Sequence, residues 1–516
     1  MVSVIFILLA VQAMEAQDTE FIKGKLMDSE TGEPVPFATV KLKNKMVGVI
    51  SNAEGDFQLP KKFKSLAEAI EISCIGYFTK SVSLDDLSSN QLNLIKMQLS
   101  TRQLGEVVIS AKKTKGLAPH RIVELAIENI SRNFPSKAFS YVAYYRDYQF
   151  KDKESEYVNL NEAIVEVSDK GFNFNDQLTT QLKLYEYKRN TDFRSDSATE
   201  IPYDNKPAYF GRGKNKFIPN ATLSPLGGNE LSILRLHDAI RNYTIYSYSF
   251  VNTMREDFVA NHFFKREEAI YLDKLALYCI SFETRPSVSG TVNFAKGKIY
   301  IEKDNYAIHK IEYACYNRTM RETQLMYDIQ LEYARRDSLM YLNYISFNNF
   351  FKTRNENDFR MIDATFERGL NGFVLNFNNV PETTSALNRN NYEFKLAGLP
   401  LEIQRVERGE NEKQIIVVLS KIEETRFLKD VAELSSKLEF DIKNIRDIDN
   451  RELDKVTFSA VHQFRELFVQ RLDTVKSTDF NSHFIKDIPL SQNVPESAER
   501  RVWDYWMNSP LKKSSQ

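Results

Sequence analysis

Apolar and polar positions alternate in short runs between Phe21 and about Leu99, with turn residues between the runs at regular spacing. That is the pattern of a small all-β sandwich. Residues 21–26, 37–42, 57–59 and 70–75 read as strands, and Asn52-Ala53-Glu54-Gly55-Asp56 reads as a tight turn, because Asn and Gly accept positive φ. After a polar stretch containing Lys112, Lys113 and Lys115, the period changes. Ile122, Val123, Ala126, Ile127 and Ile130 follow helical spacing behind Pro119, whose missing N–H costs nothing in a first turn, and Phe134-Pro135 stops the run. Alternation returns at residues 139–150 and again at 274–282, 290–294, 298–302, 307–316, 324–333 and 339–347. Polar tetrads at 303–306 and 335–338 supply hairpin turns, so this succession predicts an antiparallel meander. A helical segment is expected near residues 231–240, inside an otherwise polar interruption at 171–271. Beyond Pro400 the chain is charge-rich. Val461, Phe464, Phe468 and Leu472, with Leu467 beside them, fit one apolar face of a helix, leaving Arg465, Glu466 and Arg471 toward solvent.

The expected organisation is therefore multidomain: a signal peptide at 1–16, a β-sandwich at 17–100, a linker at 101–116, an α+β domain on an antiparallel meander at 117–400, and a partly helical region at 401–516. The leader rests on the apolar run from Val2 to Val11, too short to span a bilayer, followed by small residues that place cleavage between Ala16 and Gln17. No Lys or Arg precedes the run, so the α-amino group supplies the positive charge or the true start lies upstream; a buried N-terminal strand is the structural alternative. No later stretch reaches the ~18 apolar residues of a membrane helix.

The sequence Gly24-Lys25-Leu26, Asp28, Gly32-Glu33-Pro34-Val35-Pro36-Phe37-Ala38-Thr39-Val40, Gly48, Gly55-Asp56-Phe57 and Ser73-Cys74-Ile75-Gly76-Tyr77 resembles the carboxypeptidase-regulatory-like domain. The resemblance implies a transthyretin-like or immunoglobulin-like sandwich, of a kind common in exported and outer-membrane proteins of Bacteroidetes-type bacteria. It implies no peptidase activity, because the module is accessory to a catalytic domain and carries no zinc ligands. Leu104-Gly105-Glu106-Val107-Val108-Ile109 resembles the segment that follows this module in TonB-dependent receptors, with a final strand and linker as the plainer reading. The hairpins between Gly290 and Tyr313 resemble those of curved half-barrel proteins that handle lipoproteins in the periplasm, which implies a sheet shape and no ligand. A curved sheet holding a helix on one face is the alternative.

Composition sharpens the picture. The 35 Phe and 25 Tyr beside 2 Trp lean toward sheet, and 69 basic against 70 acidic residues leave a charge of -1, with no electrostatic footprint for nucleic acid. Cys74, Cys279 and Cys315 show no metal-binding spacing; buried free thiols are expected, with one Cys279 to Cys315 bridge as the alternative. The six histidines form no H-E-x-x-H, no G-x-S-x-G occurs, and Gly211-Arg212-Gly213-Lys214 is not a P-loop. Glu162 and Glu166 share one parity of a strand, which alone assigns no chemistry. Ser197, Ser338 and Thr474 lie in tripeptides resembling a short bacterial O-glycosylation acceptor pattern, and Trp503 and Trp506 either pin the chain to its body or anchor a partner. The expectation is an exported, non-catalytic envelope protein without cofactor, binding a periplasmic or outer-membrane partner or a ligand. An enzyme whose site assembles only in three dimensions, and a receptor-like outer-membrane β-barrel, are the alternatives.

Overall fold

The computed structural model describes residues 21–45, 47–100, 116–151, 156–197, 199, 230–245, 253–289, 293–318, 323–354, 358–367, 369–396, 398–420, 438–455, 458–474, 489–492 and 505–511. The leader with Ala16 and Gln17, the linker, the Gly211–Lys214 loop and Trp503 lie outside these residues. The chain divides into two compact units, one comprising residues 1–351 with 461–516 and the other residues 352–460.

The first unit opens with a small sandwich. Strands β1 (Phe21–Asp28), β2 (Thr39–Leu42), β3 (Gly48–Ile50), β4 (Asp56–Pro60), β5 (Ala69–Ser73), β6 (Lys80–Ser83) and β7 (Asn93–Met97) form two sheets, ordered β4-β1-β7 and β3-β2-β5-β6. Alternation in β1 buries Ile22, Gly24 and Leu26 on one side, and Ile22 and Leu26 join Val40, Phe57, Leu59, Ile70 and Ile72 in the core. The turn at Asn52 forms as its composition requires. Its side-chain oxygen accepts from the amides of Glu54 and Asp56, and Gly55 sits at φ +76.

A large sheet follows. It is built from β8 (Phe139–Lys151), β9 (Val158–Asp169), β10 (Gln181–Arg189), β11 (His262–Arg266), β12 (Ile270–Leu272), β13 (Leu275–Thr284), β14 (Asn293–Glu302), β15 (Ile308–Arg318), β16 (Thr323–Arg336) and β17 (Leu339–Arg354). Strands β13 to β17 are the meander the alternation predicts, each pairing antiparallel with the next; Tyr306 and Asp337 take φ of 62 and 54 at two of its turns.

The second unit has its own core around Phe373, Leu375, Phe377, Phe394, Ile415 and Val417. Its strands β18 (Met361–Glu367), β19 (Gly372–Phe377), β20 (Tyr392–Leu396), β21 (Leu399–Leu401), β22 (Ile403–Arg408), β23 (Gln414–Leu419) and β24 (Leu438–Ile442) form two sheets, ordered β18-β19-β23-β22 and β21-β20-β24.

The chain then returns to the large sheet as β25 (Phe458–Asp473), which lies between β17 and β8 in the order β10-β9-β8-β25-β17-β16-β15-β14-β13-β11. This corrects the helix expected at Val461 to Leu472. Two of the three residues assigned to a solvent face are interior: Arg465 and Glu466 are 3% and 2% exposed, with Asn349 and Arg146 as their respective partners, while Arg471 is part-exposed. A central strand buried on both faces reads as a helix when its polar groups are matched by residues far away in sequence. The partly helical region expected at 401–516 is likewise mostly strand in its described parts, β22 to β25, with a single helical turn at Leu490–Gln492 and no regular structure at 505–511 among the described residues. The large sheet has end strands at β10 and β11, so among the described residues it does not close into the barrel weighed above. No helix among the described residues is long and apolar enough to cross a membrane.

The two faces of the large sheet have different covers. The inner face, carrying Ile280, Phe282, Tyr313, Ile329 and Leu467, packs against the helix Pro119–Glu128 and the segments around Leu231, Leu234, Ile240 and Phe258. That helix begins with proline in its first turn, as expected. The outer face receives the sandwich: Phe37 stacks on Tyr344 with centroids 5.0 Å apart, and Ile50 packs with Val142, Tyr144, Ile164 and Phe468. Hydrogen bonds from Asn343 to Thr39, from the Tyr157 hydroxyl to Glu54 and from the Gly76 amide to the Tyr271 carbonyl complete the seat. The three cysteines are free thiols. Cys279 packs beside Tyr300 on the outer face and Cys315 lies in the inner core, so the sheet separates the two partners of the alternative bridge.

Candidate functional site

Register places the candidate site. Lys265 of β11 faces Ser281, which faces Lys298, then Glu312, then Gln330, forming one row across five strands. A second row runs Phe263, Glu283, Lys296, Ala314, Asp328. The intervening row, Phe264, Phe282, Gly297, Tyr313 and Ile329, points to the inner core, because side chains alternate along every strand. The two outer rows line a groove of about 680 Å3 on the solvent side of the sheet. Gly297 is required beneath it, since a Cβ there would stand 2.6 Å from the Phe282 ring.

The groove is amphipathic, and two of its carboxylates are matched by lysines. Glu283 opposes Lys296, and Lys298 opposes Glu312, the opposite-sign pairing that stabilises antiparallel neighbours. Glu312 accepts from Tyr300 at 2.9 Å and pairs with Lys310 at 2.9 Å. Burial raises its carboxyl, but Lys310 and the Tyr300 hydroxyl more than offset that, and it ends below the ordinary value. Burial pushes Asp328 up to about 6, against the opposing hydrogen bond from Asn348. At the lower rim Phe294 stacks on Tyr316 with centroids 5.3 Å apart, and Lys296 and Arg318 lie over the Phe294 ring. Phe263 is 54% exposed, with the Arg285 guanidinium 4.5 Å from its centroid.

Two further charged clusters are sealed. On the inner side Arg241 grips Asp169 through two hydrogen bonds of 2.7 and 2.9 Å, Arg235 pairs with Asp176 at 2.6 Å, and the Tyr333 hydroxyl donates to Asp238 at 2.6 Å. Burial raises Asp238 to about 6. The cavity among these groups is about 30 Å3, the scale of one water and too small for a substrate. Under the sandwich, Arg146 pairs with Glu466 at 2.6 Å and lies between Tyr148 and Phe468, while Glu466 also accepts from Tyr344. The glutamates noted on one strand parity are part of this layer: Glu162 accepts from Tyr144, Asn190 and Ser509, and Glu166 accepts from Tyr185. No group of three or more metal-ligating side chains among the described residues is arranged to hold an ion.

The structure does not gather the residues singled out in the sequence. Ser197, Ser338 and Thr474 are exposed and lie in separate parts of the fold. Trp506 is 6% exposed and packs edge-on against Phe63. The groove residues gave no signal along the chain, because alternating charge on a meander is what any solvated sheet face shows; only register brings them into rows.

Residues 22–109 match the family model described as the CarboxypepD_reg-like domain, in agreement with the resemblance carried by the turn and strand residues of the sandwich. No curated protein matches the chain. Among solved structures, a DUF1329 family protein from Desulfovibrio piger is similar at 8% identity over 45% of this chain and 87% of that one, with a TM-score of 0.22.

Proposed function

We propose that this chain is an exported, non-catalytic protein of the cell envelope that binds a protein partner or ligand along the outer groove of its large sheet. The observation that carries the reading is the groove itself: about 680 Å3, within the size range of ligand sites, on a rigid floor of five strands. Two of its carboxylates, Glu283 and Glu312, face lysines across the strands, an opposite-charge pairing suited to recognition. Export and an envelope location are supported by the apolar N-terminal run and by the CarboxypepD_reg-like module.

The test fills the groove. Ala314 lies in its floor, half-buried, and Ala314→Trp projects an indole into it. Wild type and variant are used as baits on envelope fractions, with bound species identified by mass spectrometry. A species retained by wild type and lost by the variant, at an unchanged thermal midpoint, supports the reading. Equal retention by both removes the groove from the function.

A further inference from the structure

A second site lies apart from the groove and is already occupied by the chain itself. Residues 505–511 run as a segment with neither helix nor strand, here called the strap, between the sandwich and the large sheet. The side-chain amide of Gln470 on β25 grips the strap's backbone on both sides: its oxygen accepts from the Trp506 amide at 3.0 Å and its nitrogen donates to the Trp506 carbonyl at 2.7 Å. On the opposite wall stands β4, an end strand of its sheet, whose outward backbone groups at Gln58 are taken by strap side chains. Trp506 Nε1 donates to the Gln58 carbonyl at 2.7 Å, and Asn508 Oδ1 accepts from the Gln58 amide at 2.8 Å. The Trp506 ring packs against Phe63, and Ser509 donates to the buried Glu162 at 2.7 Å.

This is how a receptor reads a peptide. The large sheet holds the segment's backbone through Gln470 and its small hydroxyl through Glu162, and the sandwich selects an indole donor and an amide two residues on. We propose that the cleft between the sandwich and the large sheet is a peptide-recognition site for a Trp-x-Asn-Ser segment, and that the strap is its exchangeable occupant. The inference is independent of the groove. Tethering gives the strap an effective concentration in the millimolar range, so a free peptide of equal fit enters poorly until the strap is weakened.

The test uses the full chain and a fluorescently labelled peptide of the sequence Tyr505 to Leu511. Trp506→Ala removes the ring and its donor from the strap alone and leaves both walls intact. The peptide is expected to bind this variant at least tenfold more tightly than wild type, and Gln470→Ala added to Trp506→Ala is expected to abolish that gain. A peptide carrying alanine at its asparagine is expected to bind at least tenfold more weakly. Hydrogen exchange at the Gln58 amide reports strap release in the same samples. Release without improved peptide binding overturns the proposal, and so does a strap that stays protected after losing its tryptophan. Asn508→Ala, which keeps the ring, repeats the comparison if the tryptophan variant fails to fold, with exchange read at the Trp506 amide because the substitution itself frees the Gln58 amide. A concentration-dependent dimer of wild type that the free peptide dissociates identifies a second copy's strap as an occupant and supports the proposal.

Discussion

At the scale of single residues, the conformational and electrostatic demands are specific enough to test one side chain at a time. Gly24 of β1 lies under the Phe57 ring, whose carbons stand 2.2 to 2.9 Å from where a Cβ would be. Gly24→Ala is expected to cost roughly 1–3 kcal/mol by overpacking, read from the denaturant midpoint. Asp328 shows the opposite kind of strain. Its carboxyl is raised from 3.8 to about 6, so the unfolded chain ionises first, and the stability contribution, full below pH 3.8, is lost as pH rises through about 6. Asp328→Asn is expected to lessen the fall of the thermal midpoint across that window, the remainder belonging to groups such as Asp238, and to stabilise the protein at neutral pH by roughly 1–3 kcal/mol. A variant with the wild-type slope would place the titration elsewhere.

Among the elements, β25 carries the most consequence and was the least legible. Its interior holds Gln463, Arg465, Glu466 and Gln470, each 2% or 3% exposed, and their partners Gln149, Asn349, Arg146 and Trp506 lie on other parts of the chain. Hydropathy patterning assigns such residues to solvent because it cannot see a matching group 36 to 320 positions away. The sandwich was legible for the converse reason: Asn52, Gly55 and the alternating strands act through neighbours a few residues apart. The groove lies between these cases. Lys298 and Glu312 were each placed on strands of the meander, but nothing in one dimension sets them opposite each other. The Arg146 to Glu466 pair gives the test of β25. Arg146→Met leaves a buried carboxylate without its cation and is expected to cost roughly 3–5 kcal/mol, whereas adding Glu466→Leu should recover most of the loss. Equal destabilisation by the single and double variants would show that the pair is not the determinant.

On the scale of the whole molecule, the second unit is an insertion, since residues 352–460 leave the large sheet after β17 and return to its neighbour β25. With a separate apolar core, it is expected to unfold on its own, giving two calorimetric transitions. A single two-state transition would mean that the units are thermodynamically one body. The place of β25 also fixes the order in which the protein can be made. Among the described residues, strands β8 to β10 and β11 to β17 are joined within the sheet only through β25, so until residues 458–473 have been synthesised they remain two half-sheets with β8 and β17 as unpaired borders. Contacts of such sequence separation form slowly. The chain therefore passes through its synthesis without a finished sheet, a state suited to threading through a translocation channel, and a ribosome stalled before β25 releases a product with two sticky borders and no means of closing them.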